Sequence, residues 1–201
     1  MIILMSENTD KLNPDTISTL KELFWRNGYA KTSIQDVVQA TGHNRYALYN
    51  HFGGKRELFL AALDAYYNER KTVFFENLNK PSSAPLDAIR TVFEFAITEM
   101  ADRGSGCLLC NVANDTAPMD SLVADRISGY LSEMDSALQG ALTTAQTRGE
   151  LNNNITPEDG AAVLVTLTLG LGVQAKRKAS IHNMIATFES TMRAISKAQI
   201  Q

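Results

Sequence analysis

The only two cysteines of the chain, Cys107 and Cys110, lie in the segment DRGSGCLLCNVAND. Two thiols at this spacing could form a redox pair, supply half of a metal site or provide one reactive nucleophile, or they could pack in a core as small apolar residues. A structural metal ion needs three or four ligands, and beyond residue 56 the only histidine is His182. A thioredoxin-like pair needs a strand-helix-strand setting that this sequence does not show. We therefore expect no metal and no redox motif of that kind.

The Gly-Ser-Gly stretch before the first cysteine suggests the start of a helix. If Ser105 caps that helix, Cys107 occupies its second position, where free backbone amides and the positive end of the helix dipole stabilise a thiolate. Cys110 would lie one turn further on the same face, where it could resolve a sulfenic acid formed at Cys107. Asn111 and Lys176 complete the predicted ligand or sensor residues. We expect Cys107 to be the reactive or ligand-contacting thiol and Cys110 a packing neighbour, with inert packing of both as the alternative.

The composition is that of an ordinary globular protein. The 201 residues are 44% hydrophobic and 20% charged, with a net charge of -3. No run approaches the roughly 18 apolar residues of a membrane span, and the start of the chain lacks the features of a signal peptide. Residues 1–56 hold seven Lys and Arg against five Asp and Glu (+2), and the rest holds 12 against 17 (-5). We expect a cytoplasmic protein without membrane contact, whose basic N-terminal quarter is the place for a nucleic-acid contact.

Almost every segment has the apolar period of an α-helix, which predicts an all-α fold. The first helix is predicted from about Pro14 to Gly28. A second begins at TSIQDVV, where Thr32 or Ser33 is the expected cap with Gln35 or Asp36 three residues on, the spacing of a capping box, and ends at Gly42. A third, RYALYNHF, follows after a short turn, and a long helix is predicted over residues 55–78. Two short helices at a sharp turn, followed by a long helix, are typical of a helix-turn-helix unit.

The string TSIQDVVQATGHNRYALYNHFGGKRELF resembles the DNA-binding domain of the TetR family of bacterial transcription regulators, over about 45 residues in all. The family pattern LY.HF..K..L is matched in register by Leu48, Tyr49, His51, Phe52, Lys55 and Leu58. The resemblance implies a three-helix helix-turn-helix domain, which we place at residues 1–56, followed by an α-helical ligand-binding and dimerisation domain at residues 57–201.

The residues of this unit have side chains suited to DNA. Hydroxyl, imidazole and ammonium groups donate to phosphate oxygens, whereas Arg can bond guanine bidentately and Tyr can contact a thymine methyl group. The predicted phosphate contacts are Thr32, Ser33, Tyr49, His51 and Lys55. The predicted contacts to base edges are Arg45, Tyr46 and Asn50.

The second half of the chain is predicted to hold the effector site and the dimer interface. The segment TPEDGAAVLVTLTLGLGVQAK is apolar on nearly every side, and its Gly170 and Gly172 would allow close approach of a partner helix. The resemblance implies that this helix and the final one, from about His182 to Lys197, form a four-helix bundle across a homodimer. The stretches SGCLLCNVANDTAP and LGVQAK further resemble a TetR branch that responds to reactive electrophiles or small carboxylates.

These features predict a dimeric repressor that a small molecule or thiol modification releases from a palindromic double-stranded DNA operator. Two alternatives stay open from sequence: a small-molecule-binding enzyme of detoxification, and a nonspecific nucleic-acid-binding scaffold. The enzyme is disfavoured because the sequence offers no nucleophile-base pair, no glycine-rich phosphate loop and no carboxylate cluster. We expect neither a catalytic site nor a cofactor.

Overall fold

The computed structural model describes residues 15–79, 84–113 and 120–197. Over these ranges the chain forms nine helices and no strand, apart from an isolated bridge between Leu151 and Ser196, so the predicted all-α fold is confirmed. Pro14, the predicted start of the first helix, lies outside the described residues, as does the region 114–119 that follows the cysteine segment.

The first three helices are short because local signals begin and end them. Helix α1 spans Thr16–Asn27, α2 spans Ile34–Thr41 and α3 spans Arg45–Phe52. Helix α2 starts at a complete capping box, in which Ser33 and Asp36 each accept a hydrogen bond from the other's backbone amide. It ends at Gly42, whose φ of 72° lies in the left-handed region. The predicted helix-turn-helix is therefore present.

Helix α4 (Lys55–Arg70) packs against α1 and joins the two halves of the molecule. It continues through a π-helical turn, Lys71–Phe75, into a last α-helical turn, Glu76–Asn79. The core of the N-terminal unit forms around it, and Phe24 of α1 meets Phe59 of α4 at a ring distance of 5.1 Å. Fully buried leucines complete this core at positions Leu20, Leu48, Leu58 and Leu63.

The remaining helices form a bundle over the far end of α4. They are α5 (Pro85–Arg103), α6 (Leu108–Ala113), α7 (Ser121–Thr147), α8 (Pro157–Lys176) and α9 (Ile181–Ile195). Helix α7 packs along α8, and α5 lies against α7 and α9. Thr156 caps α8 by accepting from the amide of Asp159 at 3.1 Å.

Two ion pairs fasten α4 to α7. Arg56 at the start of α4 binds Asp120, which also caps α7, with Nη2 to Oδ1 at 2.6 Å. Asp64, further along α4, accepts both bonds of the Arg126 guanidinium at 2.6 and 2.9 Å. Paired Arg-carboxylate bonds fix orientation as well as distance. Helix α4, which follows the DNA-binding unit directly, is thus held against the helical bundle at two defined points.

The start of α6 differs from its prediction. The helix begins at Leu108, and Cys107 is the residue before it rather than its second position. The physical reason is the backbone of the preceding turn, where Gly104 and Gly106 adopt φ values of 61° and 65°. A left-handed residue at position 106 cannot belong to a right-handed helix, so the helical path starts later.

Candidate DNA-binding surface and sensor site

Helix α3 presents one polar face to solvent. Arg45, Tyr46, Tyr49 and Asn50 share it because residues four apart lie one above the other, while Leu48 on the opposite side is fully buried. Tyr46 is 76% exposed, an unusual value for a large aromatic side chain. The Arg45 guanidinium lies 5.0 Å from the centre of the Tyr49 ring. All four predicted residues are therefore brought together on one accessible helix face.

The groups predicted to contact phosphate lie at the ends of these helices. Ser33 is exposed at the start of α2, His51 is exposed at the end of α3, and Lys55 is half-buried at the start of α4. The Lys55 ammonium lies 4.4 Å from the centre of the Tyr29 ring. Hydrogen bonds from Ser33, and to a lesser degree the charge of Lys55, lower the pKa of Asp36.

Thr32 departs from the expectation. Its side chain is fully buried, and its hydroxyl donates to the Gly28 carbonyl at 2.7 Å. The hydroxyl closes the turn between α1 and α2, so it is not available to a phosphate in this structure.

The Cys107 sulfur occupies the place of a capping side chain at the start of α6. Both cysteines are free thiols and are buried, with exposed fractions of 3% for Cys107 and 2% for Cys110. The Cys107 Sγ accepts from the Tyr66 hydroxyl at 3.3 Å and from the Cys110 amide at 3.4 Å. The Cys107 carbonyl accepts from the Asn111 amide at 2.8 Å, which closes the first turn.

These donors make the two thiols unequal. Hydrogen bonds lower the pKa of Cys107 to about 6, against the opposing effect of burial. The bond from the Cys110 thiol is the largest cause, and the Tyr66 hydroxyl and the backbone amides of Cys110 and Leu109 contribute the rest. Donating to Cys107 raises the pKa of Cys110, and burial adds to that rise. Cys107 is therefore the thiolate of the pair near neutral pH.

The residue before Cys107 connects three parts of the molecule. The Trp25 indole N-H of α1 donates to the Gly106 carbonyl at 2.8 Å in a buried hydrogen bond. A Cβ at position 106 would lie 2.7 Å from the Gly172 carbonyl oxygen of α8. The missing side chain of Gly106 thus allows the close approach to α8. At the two glycines predicted to allow it, a Cβ added at Gly172 would lie an ordinary 3.6 Å from the Cys107 amide nitrogen, and one added at Gly170 would meet only open space.

Asn111 and Lys176 lie on the outer side of this loop. The Asn111 side chain donates to the Ser105 carbonyl, which ties α6 to the glycine turn. Lys176 is exposed, and both residues line a cleft beside Trp25 whose lining does not include Cys107. The structure thus brings Asn111 to the cysteine loop and places Lys176 at its outer edge.

Sequence reasoning missed Trp25 and Tyr66, the two aromatic residues that connect Cys107 to α1 and α4. Their rings meet edge to face, with centroids 4.9 Å apart. Tyr66 is 41 positions from Cys107 and Trp25 is 81 from Gly106, so no local spacing could have joined them. A third aromatic residue, Tyr130 of α7, lies near Tyr66, and burial and the nearby Cys107 raise its pKa.

The described residues show neither a metal site nor a membrane-spanning helix. Across the described ranges, no three His, Cys, Asp or Glu side chains are grouped so that they could hold a metal ion. None of the helices in these ranges is both long and apolar enough to cross a membrane. A helix-turn-helix with an exposed polar recognition face, joined by a long helix to an α-helical bundle, defines a DNA-binding regulator.

Comparison with known proteins identifies the family. The family model for bacterial regulatory proteins of the tetR family matches residues 17–62, and the model for the tetracyclin repressor-like C-terminal domain matches residues 85–194. The chain belongs to the TetR family and is a transcriptional regulator, as its sequence predicts. The relatives found are regulators rather than enzymes.

Two curated relatives illustrate the similarity. The chain is 32% identical over 137 residues to the HTH-type transcriptional regulator YezE of Bacillus subtilis, covering 67% of this chain and 70% of YezE. It is 27% identical over 176 residues to the HTH-type transcriptional repressor ComR of Escherichia coli, covering 86% of this chain and 83% of ComR.

Two solved structures share the fold. A cysteine mutant of CifR, a TetR family transcriptional regulator complexed with 26-bp operator DNA, superposes with a TM-score of 0.81 at 22% identity, covering 92% of this chain and 97% of CifR. The reduced form of E. coli NemR superposes with a TM-score of 0.77 at 19% identity, covering 93% of this chain and 100% of NemR.

Proposed function

We propose that this regulator is a dimeric repressor that binds a palindromic operator and releases it when Cys107 is modified by a small electrophile. The observation that carries the proposal is the buried hydrogen bond from Trp25 to Gly106, because it joins α1 of the DNA-binding unit to the residue beside the thiolate. We place the boundary between the two domains after residue 56, in the first turn of α4. A protein that acts on chromosomal DNA would work in the cytoplasm.

The proposed operator contact uses the exposed face of α3. A recognition helix in the major groove places its polar face against base edges, and the residues flanking the helix contact phosphate. Arg45, Tyr46 and Asn50 fit the first role by their exposure, and Tyr49, His51, Ser33 and Lys55 fit the second.

The proposed dimer interface uses the outer face of α8. Its exposed residues Val163, Thr166, Gly170 and Val173 follow one another at spacings of three and four, so they form a single stripe of small and apolar residues. A helix-turn-helix protein that reads a palindrome must itself be two-fold symmetric. The stripe offers a surface on which a second copy could pack.

The proposed switch follows from the packing around Cys107. Adding a group to a sulfur that is 3% exposed requires its neighbours to move, because protein interiors are close-packed. Those neighbours include Tyr66 of α4 and the loop that holds Trp25. Modification would thus favour a second arrangement of α1 and α4, and only such a difference between two states can change operator affinity.

The comparisons support this reading in outline. ComR is named a transcriptional repressor, CifR was solved with operator DNA in forms with cysteine substitutions, and the NemR form is designated reduced.

The test measures operator binding before and after treatment with N-ethylmaleimide. A footprint on the DNA flanking the gene should show a protected palindrome that disappears when Cys107 is alkylated. Cys107→Ser should keep its DNA bound under the same treatment, whereas Cys110→Ser, the matched control, should still release it. Release from the Cys107→Ser protein would contradict the assignment of the sensor.

A second test examines the DNA-binding residues separately. Lys55→Ala should weaken binding to all sequences and reduce the slope of affinity against salt by about one. Arg45→Ala should cost about 1–3 kcal/mol at a single base pair and relax the preference there. Unchanged affinity and specificity in both variants would contradict the assignment of α3 as the recognition helix.

A further inference from the structure

A cleft with a volume of about 360 Å³ lies between the DNA-binding unit and the helical bundle. The end of α1 forms one wall, the Gly104–Ser105 turn and α6 form another, and Lys176 at the end of α8 closes the outer edge. Its volume is within the range of pockets that hold small organic ligands. The proposed repressor mechanism does not use this space, because Cys107 is not among its lining residues.

The charged residues around the cleft are all cations. Arg26, Lys31, Arg103 and Lys176 line it, and none of its twelve lining residues is acidic. Arg103 is already engaged, with its Nη1 2.7 Å from a Glu22 carboxylate oxygen. The other three are exposed and make no ion pair within residues 15–79, 84–113 and 120–197. Three unpaired cations around one cleft, in a chain with a net charge of -3, create a local site for an anion.

The inner wall of the cleft is apolar. Trp25 and Val112, which are 5% and 9% exposed, supply it, whereas Phe24 and Leu108, which also line the cleft, expose at most 1% of their surface. A cleft with an apolar wall and a cationic rim favours a ligand that has one apolar part and one anionic part. Such a ligand is a small hydrocarbon or aromatic body that carries a negative group. A DNA duplex does not fit this shape, because its phosphates are bound on open surfaces and it cannot enter a space of about 360 Å³.

We propose that this cleft is a second, reversible ligand site that takes a small organic anion of the size and shape of an aryl carboxylate. The carboxylate lies among Arg26, Lys31 and Lys176, and the ring lies against Trp25 and Val112. The ligand then contacts cations of the DNA-binding unit and of α8 together. It stabilises the arrangement in which these cations converge, and operator affinity changes without any reaction at Cys107.

The chain's single tryptophan makes binding directly measurable, because Trp25 is part of the cleft. Tryptophan fluorescence is titrated with benzoate and, as a neutral analogue of the same shape, with benzamide. The background is the Cys107→Ser protein, so that the result does not depend on thiol chemistry. Benzoate should give a saturable change with a Kd below about 1 mM, and benzamide should bind at least about tenfold more weakly.

Two neighbouring cations supply matched variants. Lys176→Ala removes a charge from the cleft and should raise the Kd for benzoate by about fivefold or more. Arg177→Ala removes a charge one residue further on, at an exposed position outside the lining, and should change the Kd by less than about twofold. Saturating benzoate should also shift the operator affinity of the Cys107→Ser protein but not that of the Lys176→Ala, Cys107→Ser double variant.

Three results would overturn the proposal. They are the absence of a saturable fluorescence change with benzoate, equal binding of benzoate and benzamide, or equal effects of the two alanine variants. The proposal is also overturned if Lys31→Ala and Lys176→Ala weaken DNA binding but leave the affinity for benzoate unchanged. These lysines would then be contacts to DNA phosphates. Failure of the thiol switch leaves every one of these measurements intact, so the two hypotheses are tested separately.

Discussion

At the scale of single residues, the thiolate character of Cys107 comes from neighbours that converge on one sulfur. The Cys110 thiol, the Tyr66 hydroxyl and the backbone amides at the start of α6 all donate to it, and together they outweigh the cost of burial. The same geometry keeps Cys110 protonated, because it is a donor in the bond that Cys107 accepts. The pKa of Cys107 is thus lowered and that of Cys110 raised, although the two cysteines are almost equally buried.

This asymmetry predicts a pH profile of alkylation. The rate at Cys107 should rise with a midpoint near the pKa of about 6, well below the ordinary thiol value of 9.0. Tyr66→Phe removes a donor to the thiolate, so its midpoint should move upward and its rate at pH 6.5 should fall by about threefold to tenfold. The measurement is the rate of iodoacetamide labelling, followed by mass spectrometry from pH 5 to 9.

A neighbouring tyrosine is the matched control for that experiment. The Tyr67 hydroxyl donates to Glu133 and not to Cys107. Tyr67→Phe should therefore leave the midpoint where it is in the unsubstituted protein. A shift of equal size in both variants would show that Tyr66 acts through general packing rather than through its hydrogen bond.

At the scale of elements, the Gly104–Gly106 turn determines where α6 starts and what it contacts. Both glycines have positive φ, but an added Cβ at Gly104 meets open space, whereas one at Gly106 meets the Gly172 carbonyl. Gly104→Ala should lower the free energy of unfolding by about 1 kcal/mol through backbone strain alone.

Gly106→Ala should cost more than Gly104→Ala. The new Cβ causes the same backbone strain and must also displace the backbone of α8. We therefore expect the free energy of unfolding to fall by about 2–4 kcal/mol. Urea unfolding of the two variants side by side separates the effects. Equal losses would show that the contact between position 106 and Gly172 contributes nothing to stability.

The hydrogen bond from Trp25 to Gly106 is predicted to couple α1 to the sensor loop. Trp25→Phe keeps an aromatic ring but removes the N-H donor, so Cys107 should still be alkylated while operator affinity responds less to that modification. Labelling by mass spectrometry and operator binding by anisotropy are measured on the same sample. If the labelled Trp25→Phe protein still releases the operator fully, this hydrogen bond does not couple Cys107 to the DNA-binding unit. The coupling would then run through Tyr66 and α4.

The contrast between the two halves of the chain shows what sequence could predict. The helix-turn-helix was predicted because its boundaries depend on local signals, namely the Ser33–Asp36 capping box and the glycines that end α1 and α2. The start of α6 was missed because it depends on the positive φ of Gly106, a residue that lies too close to the Gly172 carbonyl of α8 to carry a side chain. Contacts such as Tyr66 to Cys107 join residues 41 positions apart and follow only from the assembled fold.

At the scale of the whole molecule, function requires two copies with a defined separation of their recognition helices. The stripe Val163, Thr166, Gly170 and Val173 on α8 is the predicted contact, since it is exposed, small and largely apolar. Within one copy, the Arg56–Asp120 and Asp64–Arg126 pairs hold α4 against α7. A change in α4 would therefore be carried to the bundle that sets the distance between the two DNA-binding units.

A charge within the stripe should prevent assembly. Val163→Glu places a carboxylate in an apolar contact, so we expect the protein to become largely monomeric at micromolar concentration and operator affinity to fall by at least about 100-fold. Phe95→Glu is the control, since Phe95 is exposed to a similar degree (51% against 49%) but lies on α5, outside the stripe. Sedimentation should find that variant dimeric, and a dimeric Val163→Glu protein would move the interface to another face.

The bond between Trp25 and Gly106 also has an evolutionary consequence. Its acceptor is the main-chain carbonyl of Gly106, a group that every amino acid possesses. What position 106 requires is the absence of a side chain, because a Cβ there would meet the Gly172 carbonyl. The connection from the proposed sensor loop to α1 therefore does not depend on which side chain stands at position 107. Descendants of this protein could exchange the thiol for another means of sensing and still inherit the same path to DNA.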